Sequence, residues 1–323
     1  MENSNKWKDF LLKSSIPLEY EVKKILDSKG CVSNYEYTYL RKDEFEIINE
    51  FSYDIDGAYI SKNNFFELMI ECKYRDESTK WIFTPENYGG MNEIEHYSFL
   101  NPNDYFTKDY KFNRLDYAPL GPLCGKGIEI HSKGSNPKSI TQAISQLSYA
   151  TADKITSGIE HQIDRLLGKT EHLFYHIPII ITTAKLYRLK DNITINQIKN
   201  CEDIDLIASN EDCIIFENNI GSHLENYNLQ KFTDFTNTYG RKKLEKQLNS
   251  FNTDLDFVFS VIAKNYSPSA IAIIHFNNDN IGINKLFDFL NEVVTPTNKT
   301  LDREKERQKR IEEIHKKFGN FRK

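Results

Sequence analysis

Apolar and polar positions alternate on both sides of a turn-prone tetrapeptide, Ser61-Lys62-Asn63-Asn64. The flanking runs, residues 51–60 (FSYDIDGAYI) and 65–74 (FFELMIECKY), predict a β-hairpin. Alternate side chains of a strand share a face. Glu71 and Lys73 are therefore expected together, with Leu68, Ile70, Cys72 and Tyr74 on the other face. On the first strand, Asp54 and Asp56 are expected on one face, with Tyr53, Ile55 and Tyr59 on the reverse. The turn decides which aspartate meets Glu71. A two-residue Asn63-Asn64 turn pairs Lys62 with Phe65 and sets Asp56 opposite Glu71. A four-residue turn pairs Ile60 with Phe65 and sets Asp54 there instead.

Helical spacing brackets this hairpin. Leu18, Val22, Ile25 and Leu26 make one stripe after Pro17, a residue suited to a first turn, and Gly30 suits the position just past the C-terminus. Residues 33–41 alternate as a strand. A second helix follows Asn136-Pro137, with Ile140, Ala143, Ile144 and Leu147 inward and a polar stripe of Gln142, Gln146 and Tyr149. The isoleucine-rich run 172–185 predicts a strand buried on both faces. Residues 76–135 read as an insertion broken by glycine and proline. Trp81-Ile82-Phe83 is expected to continue the sheet or to pack on it, and Tyr88, Tyr97, Tyr105, Tyr110 and Tyr117 lie among Lys108, Lys111 and Arg114. Further strands at 212–217 and 270–276 and a helix near 284–294 make residues 186–296 either an α/β extension of the core sheet or a companion lobe. A charged helix closes the chain over 297–323.

Composition narrows the class. The 323 residues are 39% hydrophobic and 13% aromatic, enough for a packed core, and the net charge of −5 places any nucleic-acid surface in a local patch. Five scattered cysteines, without a C-x-x-C pair, read as reduced thiols. His172 and His176 are spaced like zinc ligands, but a strand separates their directions. The segment GPLCGKG at 121–127 fails as a phosphate-binding loop, having one residue too few between its glycines and no Ser or Thr after the lysine. No apolar run has the length of a signal peptide or a membrane span, so a cytoplasmic protein is expected.

Two acids and a lysine thus converge on one spot of the hairpin. Adjacent carboxylates repel unless a cation joins them. Mg²⁺, a hard ion that takes oxygen ligands and keeps exchangeable waters, suits such a pair.

Asp56, fourteen intervening residues and then Glu71-Cys72-Lys73 on a hairpin resemble the PD-(D/E)XK nuclease superfamily, nearest to its Mrr-like and Holliday-junction-resolvase-like branches. The resemblance implies a restriction-endonuclease-like α/β core of helix, three-stranded meander, helix and strand over residues 1–185, followed by the C-terminal α/β extension. It implies a Mg²⁺-dependent nuclease, with Mn²⁺ as substitute, acting on DNA, of the kind that serves restriction or phage defence. Asp56, Glu71 and the Cys72 carbonyl would hold metal, and Lys73 would act in the chemistry. Periodicity leaves Glu19 and Glu21 equivalent. The branch pattern of hydrophobic-Glu, apolar pair and Gly, met by Leu18-Glu19, Ile25-Leu26 and Gly30, selects Glu19 as a further ligand. Gln146, near a Gln/Tyr signature with altered spacing, would orient water or phosphate. The alternative function is a catalytically inactive module of the same fold that binds nucleic acid or a protein partner. A homodimer is compatible with either.

Overall fold

The computed structural model describes residues 6–42, 47–86, 101–103, 105–106, 120–165, 172–248, 254–265 and 268–319. Nearly half of the expected insertion, including Tyr88, Tyr97, Tyr110, Tyr117, Lys108, Lys111 and Arg114, lies outside the described residues.

A short helix α1 (Lys6–Lys13) precedes α2 (Ile16–Ser28). The expected stop at Gly30 forms as a Schellman turn: Gly30 N–H donates to Asp27 O and Cys31 N–H to Leu26 O, with Gly30 at φ +85°. The chain then builds β1 (Val32–Lys42), β2 (Ile48–Ser61) and β3 (Asn64–Lys73), an antiparallel meander. After β4 (Lys80–Pro85), β5 (Asn101–Asn103), β6 (Leu123–His131) and β7 (Gly134–Asn136) comes the long helix α3 (Ser139–Glu160). Strand β8 (Leu173–Thr182) follows and runs parallel to β3.

The remaining strands join the same sheet. They are β9 (Lys185–Leu189), β10 (Ala208–Glu211) and β11 (Cys213–Glu217), with α4 (Ile195–Lys199) between β9 and β10. Then come α5 (Ser222–Tyr239), α6 (Arg241–Gln247), α7 (Leu255–Asn265), β12 (Ala270–His275), α8 (Ile281–Val294) and α9 (Asn298–Gly319). The strand order is β1-β2-β3-β8-β12-β11-β6-β4-β9-β10, with β5 added to β8 and β7 to β6. The protein is thus α/β with one large mixed sheet. Residues 186–296 contribute strands to this sheet, and β12 pairs directly with β8.

Helices cover both faces. Leu18, Val22 and Leu26 of α2 and Leu286, Phe287 and Leu290 of α8 pack on Ile55, Leu68, Ile70 and Ile179. On the opposite face Ile140, Ala143, Ile144 and Leu147 of α3 cover Tyr53, Met69, Ile180 and Ile273. The far end of α3 packs with α5, α6 and α7 around Ile155, Ile159, Phe232 and Phe259. Strand β8, between β3 and β12 and covered on both faces, is buried from Phe174 to Thr182. That explains its unbroken apolar run. Among the described residues, no helix is long and apolar enough to cross a membrane.

Candidate functional site

The β2–β3 ladder pairs Ser61 with Asn64 and Ile60 with Phe65. The connecting turn is Lys62-Asn63, with Lys62 at φ +51°, and not Asn63-Asn64. This register sets Asp56 opposite Met69 rather than Glu71, correcting the two-residue-turn expectation. The last pair is Ile55 with Ile70, so Asp54 and Glu71 are the first residues past the point where the strands part. Asp54 turns across the gap and accepts the Cys72 backbone N–H at 2.6 Å.

Alternation also fails where it was expected to hold. Tyr53 packs on the α3 face and Ile55 on the α2 face, although they are two residues apart. Their β1 partners behave alike. Tyr35 sits under Lys23 of α2, whereas Tyr37 stacks on Tyr53 and lies beneath Lys154 of α3. The residues between, Glu36 and Asp54, drop out of the β1–β2 ladder, and both strands change face there. Glu36 has φ +53°, a left-handed conformation costly for a residue with a Cβ. The kink separates the two aspartates that strict alternation would have kept together.

Glu71 is fully buried, and its carboxylate is ion-paired with Lys73 through Oε1. Its other oxygen, Oε2, is buried without a hydrogen-bond partner. Burial and the neighbouring Asp54 charge push the Glu71 carboxyl up to about 7, against the pull of Lys73. Burial likewise raises Asp54, opposed by the Cys72 N–H and Lys73. Glu19, in the first turn of α2, is raised to about 7 by burial and then by Asp54 and Glu36. The Tyr74 N–H donates to Ser15 Oγ at 3.2 Å, tying the start of α2 to the end of β3 and bringing Glu19 to the cluster. Glu21 is exposed on the other side of the helix.

Asp56 belongs to a separate group. Lys154, 7% exposed, lies 2.9 Å from Asp56 and 3.1 Å from Glu67, and the Tyr53 hydroxyl donates to Asp56 at 2.6 Å. Against the burial that favours a neutral amine, Glu67 and Asp56 raise the Lys154 ammonium above its ordinary value. Each carboxylate there already has a cation. His176, expected to be no zinc ligand, is buried on β8 in the row of Glu67, and burial pushes it down to about 3.

Gln146 spans from α3 to β2, its amide donating to Ser52 O at 3.3 Å, while the Tyr39 hydroxyl donates to Gln146 O at 2.9 Å. It therefore braces the strand that carries Asp54, and neither bond reaches Glu71. Gln142 is exposed. The Cys72 thiol is sealed in the α2-side core, so only its main chain reaches the site.

Sequence reasoning missed Glu36 and Lys154. No spacing marks Glu36, because its place depends on the kink. Lys154 did leave a trace, as a charge set among Ala150, Ala152 and Ile155 on a helix that is otherwise inward-facing there.

The donors suit a hard divalent cation. Burial raises all three carboxyls, the Asp54 charge raises Glu71 and Glu19 further, and one buried carboxylate oxygen lacks a partner. Among the described residues, no group of three or more His, Cys, Asp or Glu is placed so that it could hold a metal ion by itself. Mg²⁺ needs none, since it binds through one or two carboxylates plus waters and substrate phosphates. No protein-family model, curated protein or solved structure matches the chain.

Proposed function

We propose that the chain is a Mg²⁺-dependent nuclease acting on DNA, with its site where β2 and β3 part. The observation that carries this reading is the buried, partnerless Oε2 of Glu71 beside Asp54 and Lys73. Burying a carboxylate in this way is costly unless a cation completes it. The order α2, β1–β2–β3, α3 and a β8 parallel to β3 supports the PD-(D/E)XK resemblance. The acid partner is Asp54 in place of Asp56.

In this reading Glu71 and Asp54 hold the cation, Glu19 flanks them, and the Cys72 main chain fixes Asp54. When bound, the cation acidifies a water and offsets charge on the scissile phosphate. Lys73 supplies a fixed positive charge where negative charge develops on that phosphate. Its ion pair with Glu71 keeps it aimed at the site before substrate arrives. Gln146 acts from behind, holding β2 at Ser52.

The second reading, a binding module without catalysis, is favoured by that same Lys73–Glu71 ion pair, which satisfies half of the carboxylate without metal. Incubating supercoiled plasmid, linear DNA and RNA with the chain, in Mg²⁺ and in EDTA, separates the two. Mg²⁺-dependent cutting that disappears in Glu71→Gln supports the nuclease. Binding without cutting under every condition supports the module.

A further inference from the structure

Along the α3 face of β1 and β2, the acidic site gives way to an aromatic cluster around Arg41. The Arg41 guanidinium lies 4.2 Å from the Phe51 ring centroid and 4.1 Å from that of Tyr149. Phe51 stacks on Tyr39, with centroids 6.0 Å apart. Tyr149 meets Tyr227 edge-on at 4.9 Å, and its hydroxyl lies 3.1 Å from His223 Nδ1. Strand β2 and helices α3 and α5 thus fix one arginine in place.

Ring contacts engage the guanidinium through its π face and leave its in-plane N–H donors unused. Among the described residues, the Arg41 guanidinium makes no hydrogen bond and no ion pair, although the chain is acidic overall. A rigidly held guanidinium with free donors suits bidentate recognition of phosphate oxygens. Tyr39 joins this spot to the acidic site. Burial pushes its phenol up, Arg41 pulls it down and Glu71 raises it, so both charges lie within its electrostatic reach. Arg41 pairs with Asn49. That rung is five residues along β2 from Asp54, roughly 17 Å at the usual rise of a strand.

We infer that Arg41 is a phosphate-holding residue that grips the backbone of the polynucleotide away from its scissile phosphate. This rests on the nuclease reading and gives its substrate a second anchoring point, at the Arg41–Asn49 end of the β1–β2 pair. A phosphate contact positions a nucleic acid without reading its sequence.

The test is fluorescence anisotropy in EDTA with end-labelled duplex DNA, single-stranded DNA and RNA of one sequence, across a range of KCl. Arg41→Gln is expected to weaken binding about tenfold and to reduce the slope of log affinity against log salt by about 1 on the strand type the site takes. Arg41→Lys is expected to keep the slope but bind more weakly, having lost the planar fork. If Arg41→Gln does not fold, the affinity of Arg41→Lys decides. Native affinity and slope in both variants would overturn the inference, as would a native chain that binds none of the three probes. A chain that cuts DNA yet is indifferent to Arg41 retains the nuclease reading and loses this one. A chain that shows the Arg41 effect but never cuts does the reverse.

Discussion

The Cys72 backbone N–H donates to the Asp54 carboxylate at 2.6 Å, across the gap where β2 and β3 part. That bond replaces a ladder hydrogen bond with one to a side chain, so the aspartate occupies the space its own strand has vacated. Asp54→Asn is therefore expected to lower cleavage by about a hundredfold or more, the scale of losing one preorganised electrostatic group. Asp56→Asn is expected to leave cleavage within a few-fold while lowering the urea midpoint. Plasmid-cleavage rates of the two variants side by side check the assignment. A dead Asp56→Asn with an active Asp54→Asn would reverse it.

Glu71→Gln removes a charge that the metal-free fold bears poorly. The native carboxyl titrates near 7 against an ordinary value of 4.5. A raised folded value means that the stability associated with the protonated group is complete below about 4.5 and is lost as pH rises through about 7, on the order of 3 kcal/mol. In EDTA the native chain should thus melt lower at pH 8 than at pH 5, and Glu71→Gln should show a flatter profile. Calorimetry should also find that the variant has lost Mn²⁺ binding.

Lys73→Met should bind Mn²⁺ at least as tightly as the native chain, because a competing charge beside Glu71 has gone. It should cut far more slowly, yet still shift DNA in Ca²⁺, since most affinity comes from other phosphates. Loss of metal affinity with normal cutting at saturating Mn²⁺ would instead make Lys73 a structural partner of Glu71.

Lys154→Met should destabilise the chain by about 3–5 kcal/mol. It strands Asp56 and Glu67 without their shared buried cation, and breaking a buried pair costs more than replacing it whole. Urea denaturation checks this. A triple change of Lys154, Asp56 and Glu67 to apolar residues of similar volume should recover much of the loss.

Glu36→Gly should raise the unfolding free energy by about 1 kcal/mol, because only glycine adopts φ +53° without strain. Glu36→Ala keeps the strain and should show no such gain.

Much of the core was legible because its periods are strong. The Leu18–Val22–Leu26 stripe, the Gly30 stop, the apolar run of β8 and the Ile140–Leu147 stripe each have one physical solution, and each formed as expected. The hairpin existed where alternation placed it, and Glu71 and Lys73 came together. Its register was not legible, because Ser61-Lys62-Asn63-Asn64 offers several turns of similar cost and a shift of two residues exchanges Asp54 for Asp56. The kink at Glu36 and Asp54 broke the period-two rule in two strands at once, so no pattern within either strand could announce it. Strands β9 and β10 and helices α5 to α7 were also missed. The short polar strands owe their form to the neighbours β4 and β9, and the helices to the end of α3.

The position of β12 beside β8 bears on how the chain comes to be folded. Strand β3 supplies Glu71 and Lys73, β8 shields its edge, and β12 shields β8, yet these three segments are separated by about a hundred residues at each step. Parallel neighbours so far apart in sequence are slow to find each other. Until Ala270–His275 arrives, Ile179–Ile181 offer an open apolar edge, the kind of surface that aggregates during synthesis. The acidic cluster therefore matures late, and a growing chain carries no finished site until nearly all of the sheet has been made.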